Sequence, residues 1–267
     1  MSRKGSGGTA APGAVPGCRQ ASLQAIPTSH KDTNLRTAAV IPAAGRGVRL
    51  GPGAPKALRT LGGVPILVHA VRAMAAARAV RVIVVVAPPE GTAEVRGLLD
   101  AHGLPESTDI EVVPGGETRQ ESVRLGLAAL PPDVDVVLVH DAARPLVPVE
   151  TVEGVVDAVR GGAPAVVPGL PLADTVKSVE PATGEVTGTP RRELLRAVQT
   201  PQGFDRQVLA KAHESVTGEV TDDAGMVEQL GVPVLVVPGH EEAFKVTRPL
   251  DLVLAEAVLA RRRARGH

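Results

Sequence analysis

The sequence predicts an α/β protein with a doubly wound, mostly parallel sheet sandwiched by helices and one β-hairpin arm projecting from it. Short Val- and Ile-rich runs recur along the chain, helical patterns lie between them, and one segment breaks that alternation. At 267 residues the chain can bury the core of one large α/β domain.

Residues 1–36 are rich in Gly, Ala, Ser, Thr and Pro without helical or strand periodicity, and read as a disordered extension ahead of a single domain at 37–267. The opening "MSRKGSGG" is basic, but the apolar core of a secretory signal does not follow it. The runs "AAVIP" (38–42), "RVIVVVAP" (81–88), "IEVVPG" (110–115), "VDVVLVH" (134–140), "PAVVPGLP" (164–171) and "VPVLVVPG" (232–239) read as strands buried on both faces. Between them "QESVRLGLAAL" (120–130) sets Val123, Leu127 and Leu130 on one helical face. "PLDLVLAEAVLARRR" (249–263) does the same with Leu252, Ala255 and Leu259, after a first-turn proline. In such a sandwich ligands collect beyond the carboxyl ends of the strands.

Residues 172–192 interrupt the rhythm with two β-rich runs around "EPATGE", too short for a βαβ unit. The pattern fits either an edge hairpin that closes the sheet or a projecting arm. The closing "RRRAR" reads as a solvated helix end whose cations suit the dipole there.

Composition removes several function classes. Lys plus Arg and Asp plus Glu both number 29, so no broad electrostatic surface for nucleic acid or membrane is implied. With two Phe and neither Trp nor Tyr, stacking platforms for single strands are scarce. No apolar run approaches the ~20 residues of a membrane span. A single cysteine, Cys18, excludes an internal disulfide framework and suits a reducing, cytoplasmic setting. Small-molecule partners are expected.

The loop after the first strand, "PAAGRGVRLGPGAPKAL" (42–58), begins a G-x-G at Gly45 and Gly47. The third glycine of a dinucleotide fingerprint would fall at 50, which is Leu50, and Lys56 stands between Pro55 and Ala57 rather than in Gly-Lys-Ser/Thr. A Rossmann dehydrogenase and a P-loop phosphotransferase are both disfavoured. Arg49 and Lys56 instead put two cations beside unobstructed backbone N–H groups, a concavity suited to phosphate oxygens.

Here the residues carry a resemblance. The loop, then "HDAARP" (140–145), "QTPQGF" (199–204), "TDDA" (221–224) and "KVTRPLDL" (245–252), follow in the order of one family, the 2-C-methyl-D-erythritol 4-phosphate cytidylyltransferases of the non-mevalonate isoprenoid pathway. The resemblance spans roughly residues 38–260. It implies attack of a phosphate monoester on the α-phosphate of CTP, releasing pyrophosphate and forming a CDP-linked alcohol. Such chemistry asks the protein for positioning and cations more than for a nucleophile.

By resemblance Arg49 and Lys56 bind the triphosphate and stabilise charge on it, and Lys245 orients the acceptor phosphate. Arg192 clamps that phosphate, with a one-residue shift to Arg191 left open because Pro190-Arg191 replaces the family's usual Val-Asp. Pro42, Ala43, Ala44, Gly45 and Gly47 line one side of the cytidine site, and Gly115, Gly116, Glu117 and Ser122 the other. Asp141, Ala142 and Arg144 stand beside the ligands, His140 orients the turn, and Thr175, Thr200 and Thr221 grip the methylerythritol end. The arm carrying Thr175 and Arg192 reaches into a partner subunit in the family, which implies a homodimer. CTP's clustered charge calls for a divalent cation, expected to be Mg²⁺, held through substrate phosphates with few protein ligands. A cytidylyltransferase for another polyol phosphate, such as ribitol 5-phosphate, and a non-catalytic nucleotide-binding protein are the alternatives.

Overall fold

Alternation along the first strand already explains how the sheet divides its neighbours. In the computed structural model, which describes residues 35–45, 56–218 and 220–265, strand β1 (Arg36–Pro42) sends Ala39 and Ile41 into one apolar cluster and Ala38 and Val40 into another. All described residues belong to one unit, Lys31–His267. Of the loop residues singled out above, Gly47 and Arg49 lie outside the described residues, as does the side chain of Lys56.

After β1 come the two-residue strands β2 (Thr60–Leu61) and β3 (Val64–Pro65), helix α1 (Ile66–Ala75), β4 (Val80–Ala87), α2 (Thr92–Asp100), β5 (Asp109–Pro114) and α3 (Arg119–Ala129). The second half runs β6 (Val134–Val139), α4 (Val149–Arg160), β7 (Ala165–Pro171), β8 (Ser178–Val179), β9 (Val186–Gly188), β10 (Arg196–Val198), β11 (Gln202–Asp205), α5 (Arg206–Ser215), α6 (Asp223–Gln229), β12 (Leu235–Pro238) and α7 (Pro249–Ala264). The main sheet has the order β10-β7-β11-β6-β1-β4-β5, with β12 also paired to β7. Neighbours β6, β1, β4 and β5 are parallel, which places their carboxyl ends together. Helices α1, α2 and α4 cover one face through Leu67, Val71, Leu99 and Val155, and α3, α5 and α6 cover the other through Val123, Leu209 and Met226. Each such side chain, fully buried, contributes about 1.5–3 kcal/mol. The third cluster seats α7 on Leu61, Ile66, Leu146 and Val246.

Two of the strands differ from the expectation of burial on both faces. In β5 no residue is fully buried and in β12 three of four are exposed, because β5 ends the sheet and β12 pairs with β7 alone. The structure also adds β10, just before the motif at 199–204, and β11, largely within it, both antiparallel to their neighbours. Inserted between β6 and β7, β11 buries Phe204 completely. Residues 172–192 contain the antiparallel pair β8–β9, closed by Gly184 at φ +75°, a backbone region that a side chain resists. This hairpin forms its own two-stranded sheet.

One close approach sets the position of α3. A Cβ on Gly126 would lie 2.5 Å from Val40 Cγ1 and 2.9 Å from Val86 Cγ2, so glycine lets the helix press onto β1 and β4. The start of α3 is thereby fixed at the carboxyl edge of the sheet.

Candidate active site

Three strand ends form a cleft of about 210 Å³. From β1 the backbone continues straight, Ala43 N donating to Val86 O at 2.8 Å, and Pro42 to Gly45 line one wall. From β5, Gly115 N donates to Ala87 O at 2.8 Å. A Cβ at Gly115 would stand 2.9 Å from Ser122 Oγ and 3.0 Å from Ala44 Cβ, so the two walls meet here only because the residue is glycine. Gly116 N donates to Ser122 Oγ at 3.2 Å, and Thr118 caps α3 by accepting from Glu121 N at 3.0 Å. Glu121 in turn accepts from Glu117 N at 2.9 Å. Gly116, Glu117, Arg119 and Ser122 make the opposite wall.

At the end of β6 stands Asp141, whose carboxylate receives Lys245 Nζ at 2.6 Å and Arg119 Nε at 3.3 Å. Burial alone would raise its pKa, but Arg119 and Lys245 outweigh that and hold the group ionised far below the ordinary carboxylate range. Arg119 also reaches the fully buried Asp223 through Nη1 at 2.7 Å, and its pKa is raised above the ordinary value because the two carboxylates outweigh its burial. Lys245 joins the cleft from after the last strand, on the backbone that pairs Val246 N with Ala143 O at 2.8 Å.

The turn bearing Asp141 is braced from behind. Asp141 N donates to Thr200 Oγ1 at 3.0 Å, Thr200 Oγ1 meets His140 Nδ1 at 3.1 Å, and His140 Nε2 meets Arg144 O at 3.1 Å. A carbonyl can only accept, so Nε2 carries the proton and the Thr200 hydroxyl donates to Nδ1. Burial lowers the His140 pKa to about 4, the charge of Asp141 opposing, so the ring stays neutral and both nitrogens are spent in the turn. Arg144 is spent too: Nη1 donates to Ala243 O at 2.7 Å and Nη2 to Val198 O at 3.3 Å.

A profile of the 2-C-methyl-D-erythritol 4-phosphate cytidylyltransferases matches residues 37–261. This chain belongs to that family. Its sequence is 78% identical over 236 residues to the Streptomyces avermitilis enzyme of this name, covering 86% of this chain and 94% of that one. With the Frankia casuarinae enzyme the identity is 58% over 226 residues, covering 85% and 82% respectively. Among solved structures, 2-C-methyl-D-erythritol 4-phosphate cytidylyltransferase from Thermus thermophilus superposes with TM-score 0.66 at 35% identity, covering 85% of this chain and all of that one. A 4-diphosphocytidyl-2C-methyl-D-erythritol synthase from Anaerococcus prevotii gives 0.73 at 28% identity, covering 85% and 96%.

Of the positions that the cytidylyltransferase resemblance marks, Pro42, Ala43, Ala44, Gly45, Gly116, Glu117, Ser122, Asp141, Ala142 and Lys245 line the one cleft. Gly115 supports it from behind, Thr200 and Arg144 brace the Asp141 turn, and Thr221 lines a neighbouring hollow with Arg119 and His213. Thr175 and Arg192 are exposed on the arm segment, where Arg192 Nη1 donates to Ala173 O at 2.7 Å. Arg191 lies 3.9 Å from Glu193. The sequence reading missed Arg119. A signal existed: a cation at the first residue of a helix opposes the helix dipole and so points to a partner elsewhere.

Proposed function

We propose that this cleft is where CTP and 2-C-methyl-D-erythritol 4-phosphate meet. The chain is a cytidylyltransferase of the non-mevalonate isoprenoid precursor pathway: a phosphate oxygen of the acceptor attacks the α-phosphorus of CTP, the bond to the β-phosphate oxygen breaks, and pyrophosphate leaves. The product is 4-diphosphocytidyl-2-C-methyl-D-erythritol. A phosphate monoester near neutral pH needs no proton removed before it attacks, which agrees with a site whose histidine is buried and neutral.

The observation that carries the reading is Asp141 held between Lys245 and Arg119 at the carboxyl edge of the sheet, inside the cleft built from the family's motifs. Cytidine fits between the Pro42–Gly45 wall and the Gly116–Ser122 wall, where small residues permit backbone approach and edge hydrogen bonds. Arg49 and Lys56 neutralise the triphosphate, with Gly47 allowing its close approach, and Lys245 turns from Asp141 toward the acceptor phosphate. Thr200 and Arg144 hold the turn, and Thr221 lies toward the acceptor. The hairpin arm brings Thr175 and Arg192 to the acceptor of a second subunit, which makes the working unit a homodimer with shared sites and gives the otherwise exposed arm a function.

For the divalent cation, taken to be Mg²⁺, the donor set suits a metal carried mainly by substrate. Among the described residues no group of three His, Cys, Asp or Glu could hold a metal, and the cleft offers the carboxylates of Asp141 and Glu117. When bound, the ion would neutralise triphosphate charge. We place the enzyme in the cytoplasm, the reducing setting that a single cysteine suits. Among the described residues no helix is long and apolar enough to cross a membrane.

The test is release of pyrophosphate by purified protein with CTP, Mg²⁺ and separate polyol phosphates. Release with 2-C-methyl-D-erythritol 4-phosphate and little with ribitol 5-phosphate is expected. Preference for ribitol 5-phosphate would reassign the acceptor, and CTP binding without turnover would make the chain a binding protein.

A further inference from the structure

Behind the cleft wall lies a group that lines neither the cleft nor the neighbouring hollow. Asp223, at the first residue of α6, is 0% exposed, yet it faces two cation-capable side chains: Arg119 Nη1 at 2.7 Å from Oδ2 and His213 Nε2 at 3.1 Å from Oδ1. A carboxylate taken wholly out of water is costly unless its partners compensate it. Helix α6 does not need that carboxylate as an anchor. Its start is tied down separately, since Gly225 N donates to Asp222 Oδ1 at 3.0 Å, Gln202 Nε2 to Asp222 Oδ2 at 2.7 Å, and Ala224 N to Gln202 Oε1 at 3.2 Å.

Asp223 Oδ2 faces Arg119 instead. The guanidinium hydrogen-bonds at Nε to Asp141 and lies at Nη1 in ion-pair contact with Asp223, whose Oδ2 has no hydrogen-bond partner, so carboxylates from two different elements hold it by charge. Nη2 makes no hydrogen bond among the described residues, on a side chain that lines the cleft and is one-third exposed. Without Asp223, the guanidinium could close both ends of its fork on Asp141, as arginine–carboxylate pairs commonly do, and would compete there with Lys245. We propose that Asp223, backed by His213, is a positioning residue: it turns Arg119 so that Nη2 is presented to CTP and Asp141 remains shared with Lys245. The proposal rests on the cytidylyltransferase reading and adds to it a pair that does not touch substrate.

The experiment uses the full chain, with CTP and acceptor varied separately in the pyrophosphate assay, CTP affinity by calorimetry, and melting temperature. Asp223→Asn raises the KM and Kd for CTP about tenfold, the size of a moderate coupling between contacting residues, while the acceptor KM and the melting temperature change little. Placed on Arg119→Ala, the same substitution adds nothing, so the double variant matches Arg119→Ala alone. His213→Leu, which removes the ring donor, shifts CTP affinity in the same direction by less, and His213→Gln, which keeps a donor, restores it. The His213 pair keeps the test alive if Asp223→Asn fails to fold. The proposal is overturned if the Asp223 and Arg119 losses multiply, or if Asp223→Asn weakens CTP and acceptor equally while lowering the melting temperature. A wild type that binds CTP but releases no pyrophosphate overturns the proposed function alone, the variants then being compared in CTP Kd. A wild type that does not bind CTP overturns both.

Discussion

At the carboxyl end of β6, Asp141 pairs with Lys245 and Arg119 in a wall that leaves its side chain 11% exposed, whereas at the amino end of β1 Arg36 meets Asp133 and Asp109, 60% and 83% exposed. Both ends gather arginines: Arg78, Arg81 and Arg160 join Arg36 around an open hollow. Solvent makes the difference. Exposed pairs are screened and contribute little, while a buried carboxylate between two cations fixes where charge sits before any ligand arrives. The same residue types therefore form a solvated edge at one end of the sheet and a preorganised site at the other.

The sharpest way to break that comparison is to remove one cation from each end. Lys245→Ala should lower kcat by about a hundredfold, ~3 kcal/mol in the barrier, with the fold intact, while Arg36→Ala leaves turnover unchanged. Equal losses in the pyrophosphate assay would mean the amino end matters as much. The brace behind Asp141 should show itself in stability. Because the His140 pKa in the fold, about 4, lies below its unfolded value, the unfolded chain binds more protons between pH 6.5 and 4, and stability is lost as pH falls through that window. Between pH 7 and 5 the loss from this group is about 2 kcal/mol, read by denaturant unfolding, and His140→Gln should lose that share of the slope. His69, also lowered mainly by burial, adds in the same direction and remains in the variant.

The arm decides whether the carboxyl end is complete in one chain. Arg192→Ala should raise the acceptor KM about tenfold and leave the CTP KM nearly unchanged, and the reverse split would point to Arg191 or to another pocket. The smallest effect is expected at the amino end, where Asp133→Asn should leave the melting temperature unchanged within measurement error at physiological salt, since its carboxylate is exposed. A measurable drop there would mean that the exposed pairs also hold the fold.

Much of the active end is legible in the order of residues. The run "VDVVLV" stops at His140-Asp141, so a carboxylate at a strand's carboxyl end follows directly, and small residues after β1 and β5 announce close backbone approach. For Arg119 the sequence signals only that a partner is needed; which partner is not legible, because Asp141 and Asp223 come from distant parts of the chain and meet it only through the packing of α3 and α6 against one sheet face. The same holds for Thr200, whose hydroxyl looks like a ligand contact in sequence and serves the Asp141 turn in the fold. Exposure of β5 and β12 is hidden for a related reason: apolar runs reveal that a segment is a strand, but not whether a neighbour pairs on each side.

The chain's own order of residues determined the alternating strands and helices, the glycine-lined loops and the family's motifs, since each depends on local periodicity and on side chains within one turn of each other. Only the tertiary structure decided that β11 enters antiparallel between β6 and β7, that Asp141 is shared by Arg119 and Lys245, and that Asp223 stands behind them. Those outcomes depend on which surfaces exclude water together, a property of packed elements that no single stretch of sequence contains.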